Sequence, residues 1–139
     1  MKRKMMLVLT LMLAGRAMTL AFIPSAGSGL EGAPPAAWLM PLIGDAVVGV
    51  SALGIAYIIG LRTGLWAWTA VVVWNAVAIW DALAAYAVHI SNPWPEFFMI
   101  RIFGPSMFFA AALMHLAILY LVCTPEMRNA MLGVRRESV

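Results

Sequence analysis

The sequence predicts an all-α fold, a four-helix transmembrane bundle with both ends on the cytoplasmic side (N-in/C-in). Three observations predict it. First, 64% of the 139 residues are hydrophobic and only 11% are charged, against about 45–50% and ~25% in a soluble domain. The mean hydropathy of +0.93 points the same way. Second, the apolar residues fall into four runs, each near the roughly 20 residues that a helix needs to cross a bilayer core about 30 Å thick. Third, the basic residues gather at one set of run ends, as the positive-inside rule describes. Strands are excluded by pattern, because the runs lack the two-residue alternation of a membrane barrel.

Segment one covers about 5–23 and follows Lys2, Arg3 and Lys4. Its start resembles a secretory signal, but Arg16 and the apolar "AMTLAFI" beyond it favour a retained helix. The stretch "PSAGSGLEGAPPAAW" from Pro24 is rich in turn formers. Segment two covers about 41–61. The short "LRTGLW" after it makes segments two and three antiparallel neighbours. Segment three covers about 66–90, and "SNPWPEFF" from Ser91 is an interfacial turn. Segment four covers about 100–123, and 124–139 is a polar, cytoplasmic tail. Lys2, Arg3, Lys4, Arg62, Arg128, Arg135 and Arg136 then all lie inside, with Arg101 at the outer edge. Trp38, Trp66, Trp68 and Trp94 lie near segment ends, where an aromatic belt would put them. The whole chain reads as one integral membrane domain, 1–139.

Several functions are disfavoured at once. The net charge of +3 does not indicate nucleic acid, because the basic residues sit at helix ends and not along one face. One cysteine, Cys123, allows neither an internal disulfide nor a cysteine-based zinc site. No metal-ligand spacing such as His-x-x-x-His occurs, and no nucleophile with a paired base is evident, so neither metal nor catalytic residue is assigned. A haem between His89 and His115 would bridge levels about 20 Å apart. No cofactor is therefore expected. The eleven methionines read as adaptable packing, since only Met5 and Met6 adjoin.

What remains is a set of polar residues inside the apolar segments. A rise of about 1.5 Å per residue places Asp45 about 6 Å, Arg16 about 10 Å and Asp81 about 13 Å below the outer ends of their helices. Asn75 and His115 both fall near 22 Å on the same scale. Asp81 is costly: an Asp near a helix centre costs about 2.5–3.5 kcal/mol, and each Val, Ile or Leu returns about 0.3–0.6. Segment three carries eight such residues, so it relies on partners or water. In segment two, Asp45, Gly49, Ala52, Ala56 and Gly60 form one stripe of small residues headed by a carboxylate. Such stripes let membrane helices approach closely, which turns Asp45 toward protein. Two readings stand for Arg16, Asp45 and Asp81: a ligand or proton-relay site, because intramembrane ionisable groups mark function by default, or an ion pair that holds the bundle. For Asn75 and His115 an interhelical hydrogen bond, about 0.6 kcal/mol on average, is the favoured reading over a ligand contact.

Three motifs resemble a group of small bacterial four-helix membrane proteins to which no activity is assigned. They are "PLIGDAVVGVSALGIAY" (Pro41–Tyr57), "WNAVAIWDALAAY" (Trp74–Tyr86) and "GPSMFFAAALMHLAIL" (Gly104–Leu119). They show a Gly-Asp followed by Val-Gly, a Trp-Asn with an Asp six residues beyond the Asn, and a last helix with Pro and then His-Leu. Ala78 stands where that pattern has a glycine. The resemblance covers about half the chain and implies that Asp45, Asn75, Asp81, Pro105 and His115 form a set. It implies a multi-pass protein of a bacterial inner membrane and no particular chemistry. Three function classes follow: a binding or accessory protein, in contact with lipid and holding a small lipophilic or ionic ligand; a small carrier that would need a homo-oligomer or a partner membrane subunit; and, last, an enzyme.

Overall fold

The computed structural model describes residues Met1–Val134, and among them all regular secondary structure is helical. Helix α1 spans Lys2–Leu13, α2 Leu39–Leu61, α3 Leu65–Ser91, α4 Phe98–Phe103, α5 Ser106–Cys123 and α6 Pro125–Leu132. Four stretches are long and apolar enough to cross a membrane: Lys2–Ser25, Ala36–Leu61, Leu65–Ser91 and Ser106–Cys123. Each shows a large apolar face to the outside. Val8 and Leu11 do so on α1, Val50 and Leu53 on α2, Val77 and Trp80 on α3, and Leu113 and Tyr120 on α5. Inside, by contrast, lie Thr10, Thr19, Asn75 and His115, all fully or nearly fully buried. This inverted polarity, with the length and hydropathy of the helices, marks a multi-pass membrane protein, in which lipid covers the outward apolar faces.

Two apolar cores close the ends of the bundle. One joins Met6 and Leu13 of α1, Ile59 of α2, Val71 of α3 and Ile118 of α5 to Met127 and Met131 of α6. At this end Lys2 pairs with Glu126 at 2.8 Å, and Arg3 Nε donates to the Ile59 carbonyl. That carbonyl belongs to the last turn of α2, where the helix cannot supply a partner of its own. The other core packs Trp38, Leu42, Ala85, Trp94, Phe97, Ile100 and Phe108.

Three expectations are corrected. Segment one does not run as one α-helix over 5–23. After Leu13 it tightens into a 3-10 helix over Ala14–Ala21, followed by a short turn at Ile23–Ser25. The cause lies on α2. A Cβ added at Gly49 would stand 2.0 Å from the Ala17 nitrogen, so the backbone of this segment rests directly on Gly49. Thr19 anchors the turn by sharing its hydroxyl between the Arg16 and Leu42 carbonyls, at 2.8 and 3.1 Å. Runs of 3-10 helix this long are uncommon. Segment four is also divided, at Gly104–Pro105, into α4 and α5, because proline supplies no backbone N–H to continue the ladder. Finally, Trp38 and Trp94 are 2% exposed. They form part of the aromatic core and donate to the Asn92 and Gly32 carbonyls, while Trp66 and Trp80 face outward. The tail begins as α6. Arg135 and Arg136, placed inside by their charge, lie outside the described residues.

Candidate functional site

Between the two apolar cores lies a polar layer built from four helices. Arg16, on the 3-10 segment, is its centre. Its Nε donates to Asp45 Oδ1 of α2 at 2.6 Å, and its Nη2 reaches the same oxygen. Nη2 also meets Asp81 Oδ2 of α3 at 2.5 Å. Nη1 lies 3.1 Å from His115 Nε2 of α5. His115 Nδ1 in turn lies 3.0 Å from Asn75 Oδ1. Asn75 is oriented by its own helix, since its Nδ2 donates to the Val71 carbonyl at 2.8 Å.

These contacts determine the state of the imidazole. A guanidinium only donates, so His115 Nε2 must accept. The proton then sits on Nδ1 and points at Asn75 Oδ1, whose amide nitrogen is already committed to Val71. His115 is therefore the neutral Nδ1–H tautomer. The Trp74 ring meets it edge-on, 5.0 Å between centroids, and Trp74 Nε1 is held by Ser51 Oγ at 2.8 Å.

The two carboxylates have distinct settings. Asp81 Oδ1 occupies the space beside Gly44, where a Cβ would stand 1.9 Å away. Asp45 projects from the next residue toward Arg16. The Gly-Asp pair of α2 thus has two tasks: the glycine makes room for the carboxylate of α3, and the aspartate supplies its own. All three charged side chains are largely buried, Arg16 being 12%, Asp45 19% and Asp81 16% exposed. Arg16 and Asp45 line a cavity of about 340 Å³ between helix one and α4–α5. Arg16 and Asp45 form its floor, and Met12, Met99, Met107, Met114, Phe103 and Phe108 its walls. Met12 and Phe103 of this lining are exposed on the surface of the bundle. An adjoining cavity of about 320 Å³ shares Arg16 and Asp45 and extends along the 3-10 segment to Thr19.

All five residues singled out in the sequence, Arg16, Asp45, Asn75, Asp81 and His115, are joined in this one network. The two levels expected from helix rise are bridged by the Arg16 side chain. The stripe Asp45–Gly49–Ala52–Ala56–Gly60 does face protein: Gly49, Ala52 and Ala56 are buried, and a Cβ added at Gly60 would stand 3.8 Å from Leu7 of α1. Pro105 stands apart, at the break between α4 and α5. Thr19, Gly44 and the gathering of methionines were not anticipated. Thr19 follows Arg16 by three residues, the spacing of a hydroxyl that bonds back to its own helix, and that signal was available. The methionines are far apart in sequence, and only the fold brings them together.

Chemically the layer has two properties. A guanidinium does not give up its proton in proteins, so Arg16 interrupts any proton wire between the carboxylates and His115. Among the described residues, three or more His, Cys, Asp or Glu side chains nowhere group as a metal site would require. No protein-family model matches the chain, and neither does any curated protein or solved structure.

Proposed function

We propose that this chain is a binding or accessory protein of a bacterial inner membrane, with both ends cytoplasmic, that takes a small lipid-soluble ligand from the bilayer through the opening between helix one and α4–α5. One observation carries the reading: a charged layer otherwise buried in the bundle is exposed at the floor of a cavity with apolar walls. Small-molecule pockets have this composition, mostly apolar with a few convergent polar groups, and volumes of about 300–1,000 Å³. The role is non-enzymatic. Asp45 and Arg16, which line the cavity, serve as the polar contacts, and Asp81, His115 and Asn75 position Arg16. The ties of Arg16 from helix one to three other helices support a first segment that is retained and not cleaved as a signal.

The test fills the cavity. Ala111→Trp places a bulky ring on its lining. Native mass spectrometry of protein released from native-lipid nanodiscs is expected to show a bound small molecule on the wild type and its loss in Ala111→Trp. Equal occupancy in both would refute the pocket as the binding site. The alternative, a small carrier working as an oligomer or with a partner subunit, draws on the same carboxylates. It predicts uptake into proteoliposomes that Asp81→Asn abolishes in a folded protein. The interruption of the proton path at Arg16 weighs against its proton-coupled form.

A further inference from the structure

We propose that the ligand of this pocket is a lipid-soluble monocation, an amphiphile whose single protonated amine sits against Asp45. The inference rests on the binding role above and specifies its chemistry.

Charge balance is the first ground. Among the described residues, the polar layer sets one guanidinium against two carboxylates, with His115 neutral by its hydrogen bonds. One negative charge is left over. Buried charges need compensation, and either a proton or one monovalent cation makes the layer neutral. An anionic ligand would worsen the imbalance.

The second ground is which atoms remain available. Arg16 uses Nε, Nη1 and Nη2 on Asp45, His115 and Asp81, so the guanidinium is already engaged. Asp81 has Oδ2 on Arg16 and Oδ1 against Gly44, and it does not line the cavity. Asp45 lines both cavities. Its Oδ1 receives the Arg16 donors, while no donor among the described residues reaches its Oδ2. The pocket floor therefore presents a carboxylate oxygen with acceptor capacity to spare, which suits a protonated amine.

The third ground is the wall. Four methionines and two phenylalanines surround the approach to Asp45. Aromatic faces attract cations, and thioethers are polarisable and adapt to varied apolar shapes. A flexible alkyl body with a cationic head matches both features.

The experiment compares three ten-carbon probes, decylammonium, decanol and decanoate, at equal bilayer concentration in zwitterionic-lipid nanodiscs. Bound probe is read by native mass spectrometry. The wild type is expected to hold decylammonium about tenfold more than either other probe, the scale of one hydrogen bond to a charged group. Asp45→Asn is expected to lose that preference while still binding decanol, which also reports that the variant is folded. Preference for decanol or decanoate would overturn the cation assignment and leave the binding role standing. A decylammonium preference that survives in Asp45→Asn would overturn the placement of the amine against Asp45. Failure of all three probes to bind would overturn both.

Discussion

Replacing Arg16 by methionine should destabilise the bundle more than any other single change in the polar layer. The side chain is close in length but removes every donor that Asp45, Asp81 and His115 share. Removing one partner of a buried ion pair costs about 3–5 kcal/mol, and stranding the His115 acceptor adds about 1–3 kcal/mol. Two effects reduce the sum. The carboxylates keep some exposure, 19% for Asp45 and 16% for Asp81, and a chain unfolded within a membrane also finds partners. A loss of about 4 kcal/mol is therefore expected. Reversible unfolding in bicelles, followed by steric trapping, measures it. The decisive comparison is the triple variant Arg16→Met, Asp45→Leu, Asp81→Leu. Neutralising the whole group should restore stability to within about 1 kcal/mol of wild type, since a fully apolar replacement of a buried ion cluster is often tolerated. A single variant within about 1 kcal/mol of wild type, or a triple variant no more stable than the single one, would refute the reasoning.

The excess negative charge also predicts an asymmetry: Asp45→Asn or Asp81→Asn should change stability by less than about 1 kcal/mol, far less than Arg16→Met, in the same bicelle assay. Gly49→Ala should prevent helix one from docking, because its methyl would meet the Ala17 backbone, while Gly44→Ala should displace the Asp81 carboxylate; Gly54→Ala, with open space around it, is the neutral control, and thermal unfolding ranks the three. In ¹⁵N NMR spectra of histidine-labelled protein, His115 should show the neutral Nδ1–H tautomer, and Asn75→Leu should erase that signature at a cost of up to about 1.7 kcal/mol.

The helices were legible because lipid leaves a backbone no other way to satisfy its polar groups, so length and composition suffice to place α2 and α3. The small-residue stripe was legible for a similar reason: spacing alone shows which residues share a face. The 3-10 turn around Arg16 was not, since its cause is Gly49, a residue on another helix and 33 positions away. Proline chemistry marks the break at Gly104–Pro105, but the apolar run continues across it and masks it. Depth from helix rise separated Arg16 from His115 because it counts Cα positions and ignores the reach of an arginine side chain, which snorkels over several ångströms. Position near a segment end likewise could not tell whether Trp38 and Trp94 face lipid or core; that depends on how the helix end and the Ser91–Phe98 turn pack against their partners. The cavity depends on the packing of helix one against α4–α5 and had no sequence signal of its own.

The claim on which all of this depends is that the carboxylates of α2 and α3 face inward onto Arg16. Solid-state NMR in bilayers tests it most directly, by dipolar recoupling between ¹⁵N-labelled Arg16 and ¹³C-labelled carboxyl carbons of Asp45 and Asp81. An inward-facing cluster gives strong dephasing at both carboxyls, with nitrogen-to-carbon distances of about 3.5 Å, as charge-assisted hydrogen bonds require. Carboxyl signals untouched by the arginine label would contradict it.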